Sequence, residues 1–343
     1  MLTYLDICGG PIDIGRALGR FGRQAVHDYL CHSTAWASVM QWRDSHIAHQ
    51  LHRHIELHFP AIALELRGLA QGLDLPEQDV VLWNCRGDLW AMAPDGCTTV
   101  LLPGPSQPRI THNEDGDPNF RGHCGIARIS PDDGPGFVSF VYPGSIPGHT
   151  FAVNQHGVAM TVNNLRWRQV TAGVPRMVIT RALLNQPGLA QITAMLQAGS
   201  WSGGFHLSIA QAGQSRLLSI EFGAAGVSIQ DIRRPSLHAN HAVHPALAHA
   251  PQRITASSDH RQQRGDTLIA QAGTDGPDPL AILRDTYDTE WPILRLAPDD
   301  SDQENTLATA DLRVGRHAVS WEVYTPGQAT PAFRFEGTRR LQA

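Results

Sequence analysis

Gly96 and Cys97 stand where the chain changes character, in the run Asp95-Gly96-Cys97-Thr98-Thr99. A thiol that directly follows glycine can attack the carbonyl just before it, if glycine lets the backbone bend into a strained turn; water then hydrolyses the resulting thioester. The product begins with cysteine, whose α-amino group, with a pKa of about 7.7–8.0, can accept the thiol proton near neutral pH. One residue then supplies both nucleophile and base. A Gly-Cys pair by itself is more often an ordinary buried cysteine, because free Cys packs as a small hydrophobe. Its neighbours in the sequence decide between these readings.

Four polar segments follow. Thr111-His112-Asn113-Glu114-Asp115-Gly116-Asp117 places acids and amides at the end of the next strand-like run. Between Phe151 and Asn164 a hairpin turn at Gly157 separates two strands, with Asn154 before it and Asn163 and Asn164 beyond it. His238-Ala239-Asn240-His241 precedes Ser257-Ser258-Asp259-His260-Arg261 and Arg264. Histidines offer a competing chemistry: His54 and His58 lie four apart on an expected helix, with His46, His49 and His52 nearby. That spacing is geometrically open to a metal, but neither HExxH nor a cysteine partner accompanies it, so a solvated helix face is expected and no metal. The glycines of CGGPIDIGRALG precede no GK[ST] and follow no expected strand, so no phosphate loop and no cofactor are expected.

The elements that must position these groups fall into two regions. Residues 12 to about 75 carry apolar side chains at three- and four-residue spacing, which predicts helices with breaks at Pro60 and Pro76. Trp36, Trp42, Trp83 and Trp90 are expected there as core anchors. From Cys97 onward short β-type runs alternate with glycine and proline turns, interrupted by helical segments near 175–198 and 260–272. Antiparallel strands mixed with helices predict a layered α+β architecture. Residues 273 to 304, rich in acids and loop formers, are expected to form a surface excursion.

Composition narrows the function class. The 343 residues are 42% hydrophobic and 17% charged, enough to bury one large core. A net charge of -5 gives no basic excess for phosphate backbones or anionic lipid, so small molecules are the expected partners rather than nucleic acid or membrane. With no signal-like start and no long apolar run, a soluble cytoplasmic protein is expected. Five scattered cysteines without a CxxC pair predict free thiols.

Taken in order, these segments resemble the penicillin acyltransferase family, cysteine-type N-terminal-nucleophile enzymes related in plan to bile-salt and penicillin V amidases. Cys97 matches the family's DGCT-like junction; Asn113 and Asp115 match its NxD element. Asn154, Gly157 and Asn163 match a hairpin N-x2-G-x5-N, and Asn240 and His241 a TNH element with alanine for threonine. Ser258, Arg261 and Arg264 match S-x2-R-x2-R, and the stretch from Glu65 to Arg86 resembles the family's pre-nucleophile segment. Glu114 departs from the pattern, standing where the acyltransferases tend to have an aromatic residue. The sequence is similar to the branch with β-alanyl-dopamine and carcinine hydrolases in its Glu114-Asp115 pair, its element from Tyr142 through Gly144 and Pro147 to Gly148, and its run from Gly173 through Pro175 and Arg176 to Leu184.

The resemblance implies a four-layer αββα sandwich of the N-terminal-nucleophile type with a helical N-terminal segment. Residues 1–96 would remain attached as one subunit after self-cleavage between Gly96 and Cys97, and 97–343 would form the catalytic subunit. The active form would then be a heterodimer, and a higher homo-oligomer is compatible with it. In catalysis Cys97 would attack an amide carbonyl and Asp115 would hold its α-amino group, while Asn240 would donate to the oxyanion. Arg261 would buttress Asp115 or the cysteine, Asn163 would assist or bind substrate, and Glu114 with Asp117 would receive a cationic acyl group. The expected reaction is hydrolysis of a small N-acyl amine, specifically a β-alanyl amine such as carcinine. Acyl transfer to an amine from coenzyme A or an amide is the alternative, and a binding protein that never cleaves itself is a third; a free Cys97 α-amine separates the last from both enzymes.

Overall fold

The computed structural model describes residues 2–92, 96–104, 107–169, 171–273, 276–297 and 303–342. In the N-terminal region the apolar spacing forms helices as expected, but a strand precedes them. β1 (Thr3–Gly9) leads into α1 (Pro11–Asp28), α2 (Thr34–Met40), α3 (His46–His58), α4 (Pro60–Leu73), α5 (Glu77–Asn84) and α6 (Arg86–Leu89). Pro60 opens α4, where its missing N–H has no intrahelical partner to lose, and Pro76 caps α5. Four glycines let α1 and α4 cross with their backbones in contact. A Cβ on Gly15 would stand 1.9 Å from the Glu65 carbonyl oxygen, and one on Gly68 would stand 2.2 Å from that of Ile12.

From Gly96 the chain is mainly β. The order is β2 (Gly96–Leu102), β3 (Arg109–Gly116), β4 (Gly125–Pro131), β5 (Phe137–Val141), β6 (Phe151–Asn154), β7 (Val158–Asn164), α7 (Arg176–Leu183), α8 (Leu189–Ala198), β8 (Phe205–Gln211), β9 (Leu217–Gly223), β10 (Gly226–Asp231) and β11 (Ser236–His238). It closes with α9 (Ala256–Ala270), α10 (Pro279–Leu283), β12 (Asn305–Val314), β13 (Val319–Tyr324), β14 (Phe333–Glu336) and β15 (Arg339–Leu341).

The strands form two sheets, ordered β1-β4-β5-β6-β7-β8-β9-β10 and β11-β2-β3-β12-β13-β14-β15. β1 pairs in parallel with β4; the other pairs are antiparallel. The first sheet carries α1 and α8 on its outer side, the second carries α9 and α10, and β2 faces β7 between them. This is the αββα sandwich the resemblance implies. Phe140, Phe151, Trp321 and Phe335 fill the space between the sheets, with Trp321 and Phe335 stacked at 4.3 Å, whereas Phe137 faces the helices and lies under the Arg181 guanidinium. Trp36 and Trp83 anchor the helical side with ring centroids 5.6 Å apart.

Two expectations change. The N-terminal segment is not wholly helical, because Thr3–Gly9 adds an edge strand to the first sheet. The 273–304 stretch is more than a surface excursion, since Ile282, Leu283 and Ile293 are buried against Val100 and Leu237. Asn113 holds that stretch from below, its Nδ2 donating to the carbonyls of Leu283 (2.8 Å) and Ile293 (3.4 Å).

Candidate active site

Strand register assembles the site. β2 and β3 pair Gly96 with Asp115, Cys97 with Glu114, Thr98 with Asn113 and Thr99 with His112. Because side chains alternate along a strand, Cys97, Thr99, His112 and Glu114 share one face while Thr98, Asn113 and Asp115 share the other. The inner face points into the sandwich: Thr99 Oγ1 donates to Asn163 Oδ1 on β7 at 2.7 Å. The outer face points to α9, where Arg261 donates to Thr98 Oγ1 at 2.7 Å.

Asn240 and Arg261 meet at the backbone of Cys97. The Cys97 N–H donates to Asn240 Oδ1 at 3.0 Å, and Arg261 Nη2 donates to the same oxygen at 2.7 Å. Arg261 Nη1 also binds the Cys97 carbonyl at 2.7 Å, so it buttresses the cysteine directly and touches Asp115 by no hydrogen bond among the described residues. Ser258 Oγ accepts the Asn240 N–H at 2.9 Å and lies 2.8 Å from His241 Nδ1. One N–H of the Asn240 side chain goes to the Asn164 carbonyl at 3.2 Å. An amide nitrogen carries two protons, so a second acceptor could be served from the same nitrogen. Arg264 stands apart from this cluster, tying α9 to Asp285 through two bonds of 3.0 and 2.7 Å.

Asp115 lies opposite the bond that self-cleavage would cut. Its Oδ1 accepts from Thr306 Oγ1 at 2.7 Å, whereas Oδ2 is buried without a hydrogen-bond partner among the described residues. Burial pushes its carboxyl up to about 6, against the opposing pull of Arg261 and Arg295. Beside it, Glu304 bridges Arg166 (2.7 Å) and Arg295 (3.0 Å). Gly96 sits in β2 rather than in a separate turn, and space explains its identity: a Cβ there would stand 2.3 Å from Glu304 Oε2 and 3.3 Å from Asp115 Cβ. Asp95, the preceding member of the junction, lies outside the described residues.

Glu114 is buried at 2% exposure, which removes a solvent-facing turn as its role. Cys97 Sγ lies 3.8 Å from its Oε2, His112 Nε2 lies 3.1 Å from the same oxygen, and the Tyr142 hydroxyl donates to Oε1 at 2.9 Å. Burial drives the His112 pKa down to about 3. Asp117 is only partly buried and accepts from the Tyr29 hydroxyl and, at 2.9 Å, from the Asn119 N–H. It helps line a cavity of about 310 Å³ with Tyr29, Trp90, Met92, Arg166 and Glu304, whose Glu304 wall reaches Gly96. Two larger cavities, of about 420 and 380 Å³ near Trp201, touch none of the expected site residues.

The hairpin residues divide by role. Asn154 Oδ1 caps the turn by accepting from His156 and Val158 N–H, both at 3.0 Å, and Gly157 has φ 73°. Asn163 reaches the site through Thr99 and donates to the His238 carbonyl at 2.9 Å. Sequence reasoning assigns no role to His112, Tyr142, Arg166, Arg295 or Glu304. His112 was accessible by alternation, two residues before Glu114; the Arg166–Glu304 ion pair joins residues more than a hundred positions apart and carries no local signal. On α3, His54 and His58 stack at 5.6 Å, but the three-residue cluster of metal-type ligands among the described residues is Cys97, His112 and Glu114. No helix among the described residues is long and apolar enough to cross a membrane.

A family model described as Acyl-coenzyme A:6-aminopenicillanic acid acyl-transferase matches residues 103–322. The chain is also similar to the Beta-alanyl-dopamine/carcinine hydrolase of Drosophila melanogaster, at 28% identity over 146 residues. That match spans 37% of this chain and 38% of the fly protein's length. Among solved structures, a variant of conjugated bile acid hydrolase from Clostridium perfringens aligns with a TM-score of 0.43 at 12% identity, covering 68% of this chain and 90% of that one.

Proposed function

Because the chain belongs to the acyl-coenzyme A:6-aminopenicillanic acid acyl-transferase family, we propose that it cuts itself between Gly96 and Cys97 and then hydrolyses a small amide through a thioester on Cys97. The observation that carries this reading is the Cys97 N–H directed at Asn240 Oδ1, 3.0 Å away, while Asp115 Oδ2, without a hydrogen-bond partner among the described residues, belongs to the residue across the register from Gly96. After the Gly96–Cys97 bond breaks, that nitrogen is an amine with one acceptor already in place and a buried carboxylate beside it. In turnover the thiol proton passes to the amine, sulfur bonds to the substrate carbonyl carbon, and the C–N bond breaks as the proton moves to the departing amine. Water then releases the acid. Asn240 Nδ2 donates to the charged oxygen, and Arg261 fixes Asn240 so that this donation needs no reorganisation.

The substrate reading is a β-alanyl amine of the carcinine type. It draws support from the partial likeness to the fly hydrolase and from the carboxylates of Glu114 and Asp117 near the junction, which suit an ammonium group. Transfer of the acyl group to an amine acceptor is the other reading, favoured by the matched family's description as an acyl-transferase.

Denaturing mass spectrometry of the purified protein tests the first step: fragments beginning at Met1 and Cys97 are expected, and Cys97→Ala stays whole. A fully active enzyme that remains one polypeptide overturns it. For the substrate, the wild type should favour a β-alanyl amide over the propionyl amide of the same amine by roughly 10- to 150-fold in kcat/KM, the equivalent of one charged hydrogen bond. Glu114→Gln should erase that preference. Equal rates on both amides in the wild type remove the ammonium from the substrate's description.

A further inference from the structure

The polar groups around Cys97 leave a proton-count problem that points to a ligand. Asn163 Nδ2 donates to the His238 carbonyl at 2.9 Å, which fixes the orientation of its amide and turns Oδ1 toward Thr99. Thr99 has one hydroxyl proton and gives it to Asn163 Oδ1 at 2.7 Å. Its oxygen must therefore accept from His112 Nδ1, 2.8 Å away, and the imidazole proton sits on Nδ1. His112 Nε2 then presents a lone pair to Glu114 Oε2 at 3.1 Å. Two lone pairs that close require a proton or a cation between them. Tyr142 holds the far side of the same carboxylate at Oε1, and Cys97 Sγ lies 3.8 Å from Oε2.

We infer that Cys97 Sγ, His112 Nε2 and Glu114 Oε2 form a site for a zinc ion, which silences the nucleophile reversibly. The three atoms lie within 4.8 Å of one another, and all three residues are buried. Bonds of about 2.3 Å to sulfur and about 2.0–2.2 Å to nitrogen and oxygen span the 3.8 and 3.1 Å separations. Sulfur, imidazole nitrogen and a carboxylate are donor types that zinc takes. His112 is backed as ligating histidines usually are, its other nitrogen donating to a hydrogen-bonded oxygen that locks the tautomer. Charge also balances: a divalent ion with one thiolate and one carboxylate is neutral overall, as a buried site requires. Thiol and carboxyl protons leave to water as the metal binds. A narrow crevice lined by Leu30, Trp83, Asp117 and Tyr142 reaches the Tyr142 end of the cluster. Zinc held there occupies the sulfur that both self-cleavage and turnover need, whichever amide is the substrate.

Cobalt(II) serves as the spectroscopic probe for zinc in the full-length protein. One equivalent should produce thiolate-to-cobalt charge transfer in the near ultraviolet with tetrahedral visible bands, and added zinc should abolish both. His112→Gln should weaken binding by at least about 10- to 100-fold. Should that variant fail to fold, the wild type alone decides: zinc should protect Cys97 from alkylation by iodoacetamide, read by mass spectrometry of its peptide, and a chelator should restore reactivity. Absence of the charge-transfer band, alkylation indifferent to saturating zinc, or unchanged affinity in a folded His112→Gln protein overturns the site.

Discussion

In the proposed mechanism most of the chemistry converges on Asn240. Its carbonyl oxygen accepts from the Cys97 nitrogen and from Arg261, so its amide nitrogen is held in a single orientation. A fixed donor of this type acts on charge that exists only in the transition state, and losing one lowers kcat by about 100- to 1,000-fold. Asn240→Ala should therefore lower kcat by about 100-fold or more with a smaller change in KM. The same substitution removes the acceptor for the Cys97 nitrogen, so self-cleavage should slow as well, visible as accumulating full-length chain. A folded and fully cleaved Asn240→Ala enzyme with near-normal kcat removes the residue from the oxyanion role. Of the two partners expected for Arg261, Asp115 or the cysteine, its hydrogen bonds reach the cysteine: the guanidinium grips the Cys97 carbonyl and Asn240.

At the scale of elements, the crossing of α1 and α4 holds the helical segment together through backbone contact rather than side-chain interdigitation. Replacing Gly68 by alanine gains about 1 kcal/mol of helix propensity but drives a methyl to 2.2 Å from the Ile12 carbonyl oxygen. Overpacking against backbone that cannot yield outweighs that gain, and Gly68→Ala should destabilise the protein by about 3 kcal/mol or more. A urea midpoint shifted down at constant m value is the expected readout, and an unchanged midpoint refutes the close crossing. The helices themselves were legible in the sequence because their apolar period is long and regular. β1 was not, because seven residues at a sheet edge, with one strand for a neighbour, need little hydrophobic pattern. The candidate site was legible as ordered segments, in that Cys97, Asp115, Asn240 and Arg261 lie near one another although they come from separate stretches of the chain. Glu304 with Arg166 and Arg295 was not, since a buried ion network is set by tertiary proximity, which no local spacing records.

The whole molecule is sewn together across the Gly96–Cys97 position. Arg181 on α7 pairs with Glu65 on α4 at 2.9 Å, both buried. Asp88 accepts from Ser202 Oγ at 2.6 Å and from the Arg176 N–H at 3.0 Å, and Asn84 bonds both Gly144 and Ile146. β1 adds a strand to a sheet otherwise built after residue 96. Scission would therefore leave the native contacts in place while changing the molecularity of unfolding. An intact chain unfolds to one particle, whereas a cut one unfolds to two and is subject to mass action. Each tenfold dilution of the cleaved protein should then cost about 1.4 kcal/mol of apparent stability. The urea midpoint should fall with dilution for the wild type and stay fixed for Cys97→Ala. In a dilute compartment the parted N-terminal fragment would have no sheet for β1 to join. Maturation would then exchange a stability written into one chain for a stability that depends on how many copies are present.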